Sequence, residues 1–154
     1  MLEAWRITKK KHAAKAFDGE GARLQGGRWS RPGTRIIYTA GGQSLAILEI
    51  LVHLQQPEFL SNYVVFEVEF PEKLVEALDP GSLPANWRVS PAPPATLAIG
   101  DDWIKKSSSA ILRVPSVIVP SEYNFLINPA HRDFASITIS SPKRLDMDPR
   151  LLKK

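Results

Sequence analysis

RIIYTAGGQSLAILEILVHL (35–54) is the stretch whose reading decides the fold class of this chain. Its first five residues are β-branched or aromatic apart from Arg35, and they lie between Pro32-Gly33 and Gly41-Gly42. That is the pattern of a short strand bounded by turns. After the glycine pair, Ser44 is placed to cap a helix that runs to about Leu54 and is closed by Pro57. One residue of this helix is out of keeping with its neighbours. Glu49 has Leu45, Ile47, Leu48, Ile50, Leu51 and Val52 around it, so no face there is plainly solvated. A carboxylate in such a segment is costly to desolvate and needs a partner or a chemical task.

Further elements follow on both sides. Residues 2–7 predict a strand, followed by a polar loop to Gly27. NYVVFEVEF (62–70) alternates, with Val64, Phe66, Val68 and Phe70 facing one way and Val65, Glu67 and Glu69 the other, which predicts a half-buried strand. Residues 71–94 are proline-rich and predict irregular chain with one helical piece at 73–78. A second helix is expected over 96–106. AILRV (110–114), VIV (117–119) and ITIS (137–140) predict short strands, and NPAH (128–131) a turn. More strand than helix in mixed order indicates an α+β fold, a compact single domain over residues 1–154 with a mixed β core.

The composition bounds the function classes. The chain has 154 residues, 44% hydrophobic and 23% charged, the balance of an ordinary globular domain. No apolar run reaches the ~20 residues of a membrane helix, and no signal-peptide core opens the chain. The expectation is a cytoplasmic protein without membrane attachment. It has no cysteine, hence no disulfide framework and no thiolate chemistry. Net charge is +4. Yet no helix-turn-helix, zinc-finger or RNA-binding motif accompanies it, so direct nucleic-acid binding is not expected and an anionic ligand or acidic partner is. His53 stands four residues after Glu49, the spacing of a metal half-site, but no third ligand fits, and no metal is expected.

Between Glu20 and Glu49 the chain carries four arginines, Arg23, Arg28, Arg31 and Arg35, and no acidic residue. Guanidinium forks among glycines, as in GARLQGGRWS (21–30), suit an anion such as phosphate. Arg28 follows Gly26-Gly27, where backbone N–H groups can approach a phosphate, and Trp29 could pack on a base; a hairpin turn with a core tryptophan fits the same residues. Tyr38 ends a strand just before the Glu49 helix, a position suited equally to ligand contact and to a core hydroxyl satisfied locally. VPSVIVPSEYNFLINPAH (114–131) is a second dense region, offering Ser116, Ser121, Asn124, Asn128 and His131. It has no nucleophile elbow for a Ser–His–Asp hydrolase. Arginines for phosphate and one placed carboxylate suggest an enzyme acting on a nucleotide-like substrate.

Taken together, GGRW (26–29), IIYTA (36–40), SLAILEILVHL (44–54), VPSVIVPSEYNFLINPAH (114–131) and RLDMDPRLL (144–152) resemble the RES-domain toxins, named for an arginine, a glutamate and a serine. The resemblance runs from WRI (5–7) nearly to the end of the chain. It implies a mixed α/β core similar to ADP-ribosyltransferase toxins, depletion of cellular NAD, and a cognate Xre-like antitoxin encoded alongside; it leaves room for a homodimer. NAD would be the substrate, and no cofactor is expected. The family's arginine falls on Arg28, its glutamate on Glu49, its serine on Ser116 (with Ser121 the alternative) and its tyrosine on Tyr38, while Arg6 and Asn124 match further polar positions. On that pattern Arg28, Tyr38, Glu49 and Ser116 are the catalytic set. Arg6, Trp29 and Asn124 join Arg28 and Tyr38 in binding NAD. Glycohydrolase, phosphorylase and ADP-ribosyltransferase activity all remain open, as does a non-enzymatic nucleotide- or RNA-binding module.

Overall fold

The computed structural model describes residues 1–54 and 62–152. Its strands are β1 (Leu2–Lys9), β2 (Ile37–Ala40), β3 (Tyr63–Phe70), β4 (Val75–Ala77), β5 (Ile111–Pro115), β6 (Tyr123–Ile127), β7 (Thr138–Ile139) and β8 (Lys143–Arg144). They form one sheet in the order β4-β5-β6-β2-β1-β3-β7, with β8 also on β3. Every described pairing is antiparallel except β4 with β5. The helices are α1 (Glu20–Gln25), α2 (Gln43–Leu51) and α3 (Pro94–Lys106). The central pair, β1 with β3, is in register over eight residues, from Leu2 opposite Phe70 to Lys9 opposite Tyr63. Its β-branched and aromatic side chains suit a pleated surface buried on both sides.

Because side chains alternate along a strand, the sheet has two differently furnished faces. One carries Ala4, Ile37, Val68, Phe70, Ile111 and Ile127, packed together as a core. On the other, α2 lays Leu45 and Ala46 onto Ile7, Ala40 and Val65. Alongside, α3 lays Trp103 onto Leu112, Val114 and Leu126, with Trp29 and Ile36 in the same cluster. The two helices thus share one face, and the ends of β5 and β6 lie between them. No helix among the described residues is long and apolar enough to cross a membrane.

Several local expectations change. The predicted loop before Gly27 contains a 3-10 turn at Lys10–Lys15 and the short α1, whose first turn is held by Glu20 on Arg23. Ser44 does not cap α2: Gly42 holds the cap position in extended conformation and no side chain bonds there. The helix is carried instead by its apolar contacts, and the Pro57 stop lies outside the described residues. The helical piece expected at 73–78 is a 3-10 turn, Glu72–Leu74, followed by β4, which Ile111 and its neighbours recruit as a parallel partner. VIV (117–119) is a turn rather than a strand, because the Ser116 Oγ accepts the N–H groups of Ile118 and Val119, both at 3.1 Å. YNFLI (123–127), which is not among the expected strands, is β6, in keeping with its aromatic and β-branched residues.

Two helical glycines test the packing. A Cβ on Gly100 would run into the Trp29 carbonyl oxygen, which is backbone and cannot give way, whereas a Cβ on Gly21 would meet nothing within 4 Å. Gly100→Ala is therefore expected to destabilise by about 1–3 kcal/mol despite the better helix propensity of alanine. Gly21→Ala should leave stability unchanged or raise it by up to ~1 kcal/mol. Thermal unfolding of both variants checks the pair, and a Gly100→Ala midpoint at or above wild type would contradict the close approach of α3.

Candidate active site

The arginine-bearing segment is a tight hairpin. Gly27 N–H donates to the Ser30 carbonyl at 2.9 Å and Ser30 N–H returns to Gly27 at 3.4 Å, so Arg28 and Trp29 form the tip. Asp101 on α3 braces its far side, accepting from the Arg31 N–H at 3.1 Å, the Thr34 hydroxyl at 2.8 Å and the Arg31 guanidinium at 3.1 Å. Trp29 is 2% exposed and stacks on Trp87, ring centroids 6.1 Å apart. With the tryptophan turned inward, the arginine is the tip residue left to face outward.

Acids absent from the local sequence are supplied through the fold. Arg23 and Arg35 both pair with Glu20, and Arg31 pairs with Asp101. Arg28 differs. Among the described residues no carboxylate comes within ion-pair distance of it. Its Nη1 donates to the carbonyls of Trp87, at 3.2 Å, and Val89. The Nε–Nη2 edge, the one that suits bidentate binding of paired oxygens, has no acceptor among the described residues. Burial lowers the pKa of Arg28, and the charge of Glu49 acts in the opposite sense. The cation and the carboxylate are therefore within electrostatic reach of each other.

Glu49 stands on α2 where that helix passes the ends of β5 and β6. Its Oε1 accepts from the Ser116 hydroxyl at 3.0 Å and from the Asn124 amide nitrogen at 2.9 Å. Both donors are neutral, so the carboxylate is oriented without being cancelled, and each bond to an ionised acceptor is worth roughly 1.5–3 kcal/mol. Oε2 has no hydrogen-bond partner among the described residues. Ser116 is 0% exposed; it gives its proton to Glu49 and takes the two N–H groups of the following turn. Ser121 is exposed and is not among the partners of Glu49.

The structure thus brings together Arg28, Glu49, Ser116 and Asn124. It does not bring Arg6 or Trp29. Arg6 lies on β1 between Trp5 and Ile7, which pack toward α2, so it points to the opposite face. There it donates to the carbonyls of Ala16, at 2.6 Å, and Tyr38, at 2.9 Å, lies over the Phe17 ring, and has its pKa pulled down by burial to about 10. It is a clamp between backbone segments. Trp29 is core, beneath α3. Tyr38 stands beside the site, its hydroxyl engaged by Trp29 and Ser30. The carbonyls of Trp87 and Val89 were missed because backbone acceptors leave no residue signature. Asp101 was missed because it lies 70 residues from Arg31 in sequence.

Comparison with known proteins identifies the family. Residues 3–148 match the model of the RES domain. The chain is 41% identical over 148 residues to a protein of Yersinia enterocolitica named Toxin Res, covering 96% of this chain and 97% of that one. It is 39% identical over 155 residues to a protein of Sphingobium sp. named Prs ADP-ribosylating toxin, covering 97% and 96%. In fold it is similar to a chain of the M. tuberculosis MbcT–MbcA toxin–antitoxin complex, with TM-score 0.76 over 94% of this chain and 84% of that one, at 18% identity. A family model spanning nearly the whole chain and full-length relatives at about 40% identity lead to one conclusion: the chain belongs to the RES domain family.

Proposed function

We propose that this chain is the toxin of a toxin–antitoxin pair and that it depletes cytoplasmic NAD by breaking the nicotinamide–ribose bond. The observation that carries the reading is the pairing of an arginine whose Nε–Nη2 edge is unpartnered among the described residues with a carboxylate oriented by two neutral donors. The Arg28 edge is suited to the diphosphate of a dinucleotide. The nicotinamide of NAD is a cationic pyridinium and departs as a neutral base, taking the electron pair of the C1′–N bond, so no general acid is required. The barrier lies in the positive charge that develops on the ribose. Glu49, with Oε1 already bonded, offers Oε2 to that charge or to a ribose hydroxyl. An acceptor then adds its lone pair to C1′ and releases a proton: water gives ADP-ribose, phosphate gives its phosphorylated counterpart. Transfer to a protein side chain is the second reading, favoured by the name of the Sphingobium relative.

Ser116 and Asn124 act here on Glu49 rather than on the dinucleotide. The full burial of Ser116 and the direction of its hydroxyl proton support that role over direct contact with ribose. A free NAD-consuming enzyme would harm its own cell, so the reading includes a masking antitoxin of the Xre-like kind. The partner in the structural neighbour's complex supports it.

The direct test is incubation of the purified protein with NAD while following nicotinamide release, with ADP-ribose, its phosphorylated form or modified protein identifying the acceptor. Glu49→Gln, nearly isosteric but uncharged, should retain the fold and lose on the order of 10²–10³ in rate. Wild-type turnover in that variant would reject the role of the carboxylate.

Ser116→Ala should lower kcat by an amount equivalent to roughly 1–3 kcal/mol while leaving KM for NAD nearly unchanged. Ser121→Ala should behave as wild type. A rise in KM without loss of kcat in Ser116→Ala would return the serine to the substrate side.

A further inference from the structure

We propose that Tyr38 is a positioning residue that acts through Arg28, its ring and hydroxyl setting the turn that aims the guanidinium. The inference rests on Arg28 being the phosphate-binding group. A two-residue hairpin held by bonds of 2.9 and 3.4 Å is marginal by itself. Tyr38 supplies what the turn lacks. Its hydroxyl accepts the Trp29 N–H at 3.2 Å and shares a 2.8 Å hydrogen bond with the Ser30 Oγ, which is fully buried. The end of its ring lies against Gly27 so closely that a Cβ there would stand 2.6 Å from the ring. Tyr38 therefore engages Gly27, Trp29 and Ser30, three of the four residues of the hairpin, and the fourth is Arg28.

The hydroxyl is committed in this role. It has one proton to give and two lone pairs to receive; the N–H of Trp29 takes one lone pair, and the bond shared with the Ser30 Oγ takes either the proton or the other. Burial raises its pKa to about 12, so it keeps the proton at physiological pH. Stacking of the ring on a substrate would survive loss of the hydroxyl; the hydroxyl's hold on Trp29 and Ser30 would not. Tyr38→Phe separates the two, since it keeps the ring and removes both hydrogen bonds.

The test is a double-mutant cycle read by calorimetric titration of the full chain with ADP, which carries the diphosphate but nothing to cleave. Tyr38→Phe should weaken ADP binding roughly tenfold, the scale of one hydrogen bond. In the Arg28→Ala background the same change should matter less than about twofold, because the group it positions is gone. Ser30→Ala, which removes one of the two bonds, carries the same cycle if Tyr38→Phe does not fold. Wild-type affinity in Tyr38→Phe, or an equal loss in both backgrounds, would overturn the inference. A wild-type protein that takes up no ADP would overturn it together with the phosphate role of Arg28. Nicotinamide release measured in parallel keeps the two readings apart. Coupling without NAD cleavage supports the positioning role and removes the proposed chemistry, while cleavage without coupling does the reverse.

Discussion

Glu49 sits on a helix whose other side chains are almost all apolar, and two neutral donors, Ser116 and Asn124, hold one of its oxygens. The site depends on this arrangement. A salt bridge would have satisfied the carboxylate and also cancelled it; hydroxyl and amide donors satisfy it and leave the charge in place. Each requirement then falls on a particular element. α2 must carry Glu49 past the open ends of two strands. The chain leaving β5 must turn at once, which the Ser116 hydroxyl enforces by capping the N–H groups of Ile118 and Val119. β6 must begin where Asn124 faces α2, and its pairing with Ala40 fixes that register.

The arginine hairpin solves the complementary problem. A stretch with four arginines and no acid would repel itself if left uncompensated, and the fold answers with Glu20 and Asp101, which take three of them. The remaining one, Arg28, is bound through Nη1 to backbone carbonyls, which orient it without neutralising it. Cation and carboxylate are thus both held by uncharged partners and stand within each other's field. Such a pair suits a ligand that brings its own negative diphosphate and develops positive charge elsewhere in the reaction.

What could be read from sequence follows from the range of the forces involved. Strand and helix assignments around residues 35–54 and 62–70 came through because local alternation and apolar runs determine them. Arg28 and Glu49 were visible because charge in glycine-rich or apolar surroundings is unusual over a few residues. Tertiary hydrogen bonding was not visible. Nothing in VIV (117–119) announces a turn, since the group that ends the strand is a side-chain oxygen one residue earlier. Arg6 resembled a second phosphate ligand by position in a motif, yet strand alternation sends it to the opposite face. Trp29 was open between base-stacking and core, and the close approach of Gly100 leaves only the core. Ser116 belongs to the set that the family resemblance implies, but its partner lies 67 residues away, so its contact with Glu49 could not be read from the sequence.

A crystal structure of the Glu49→Gln protein with uncleaved NAD tests the central claim most directly, because it locates both ends of the ligand against both groups at once. The account predicts the diphosphate on the Nε–Nη2 edge of Arg28 and the anomeric carbon of the nicotinamide ribose beside residue 49, with Ser116 still buried and out of contact with the ligand. A dinucleotide seated away from Arg28, or one whose nicotinamide ribose is remote from residue 49, would contradict it.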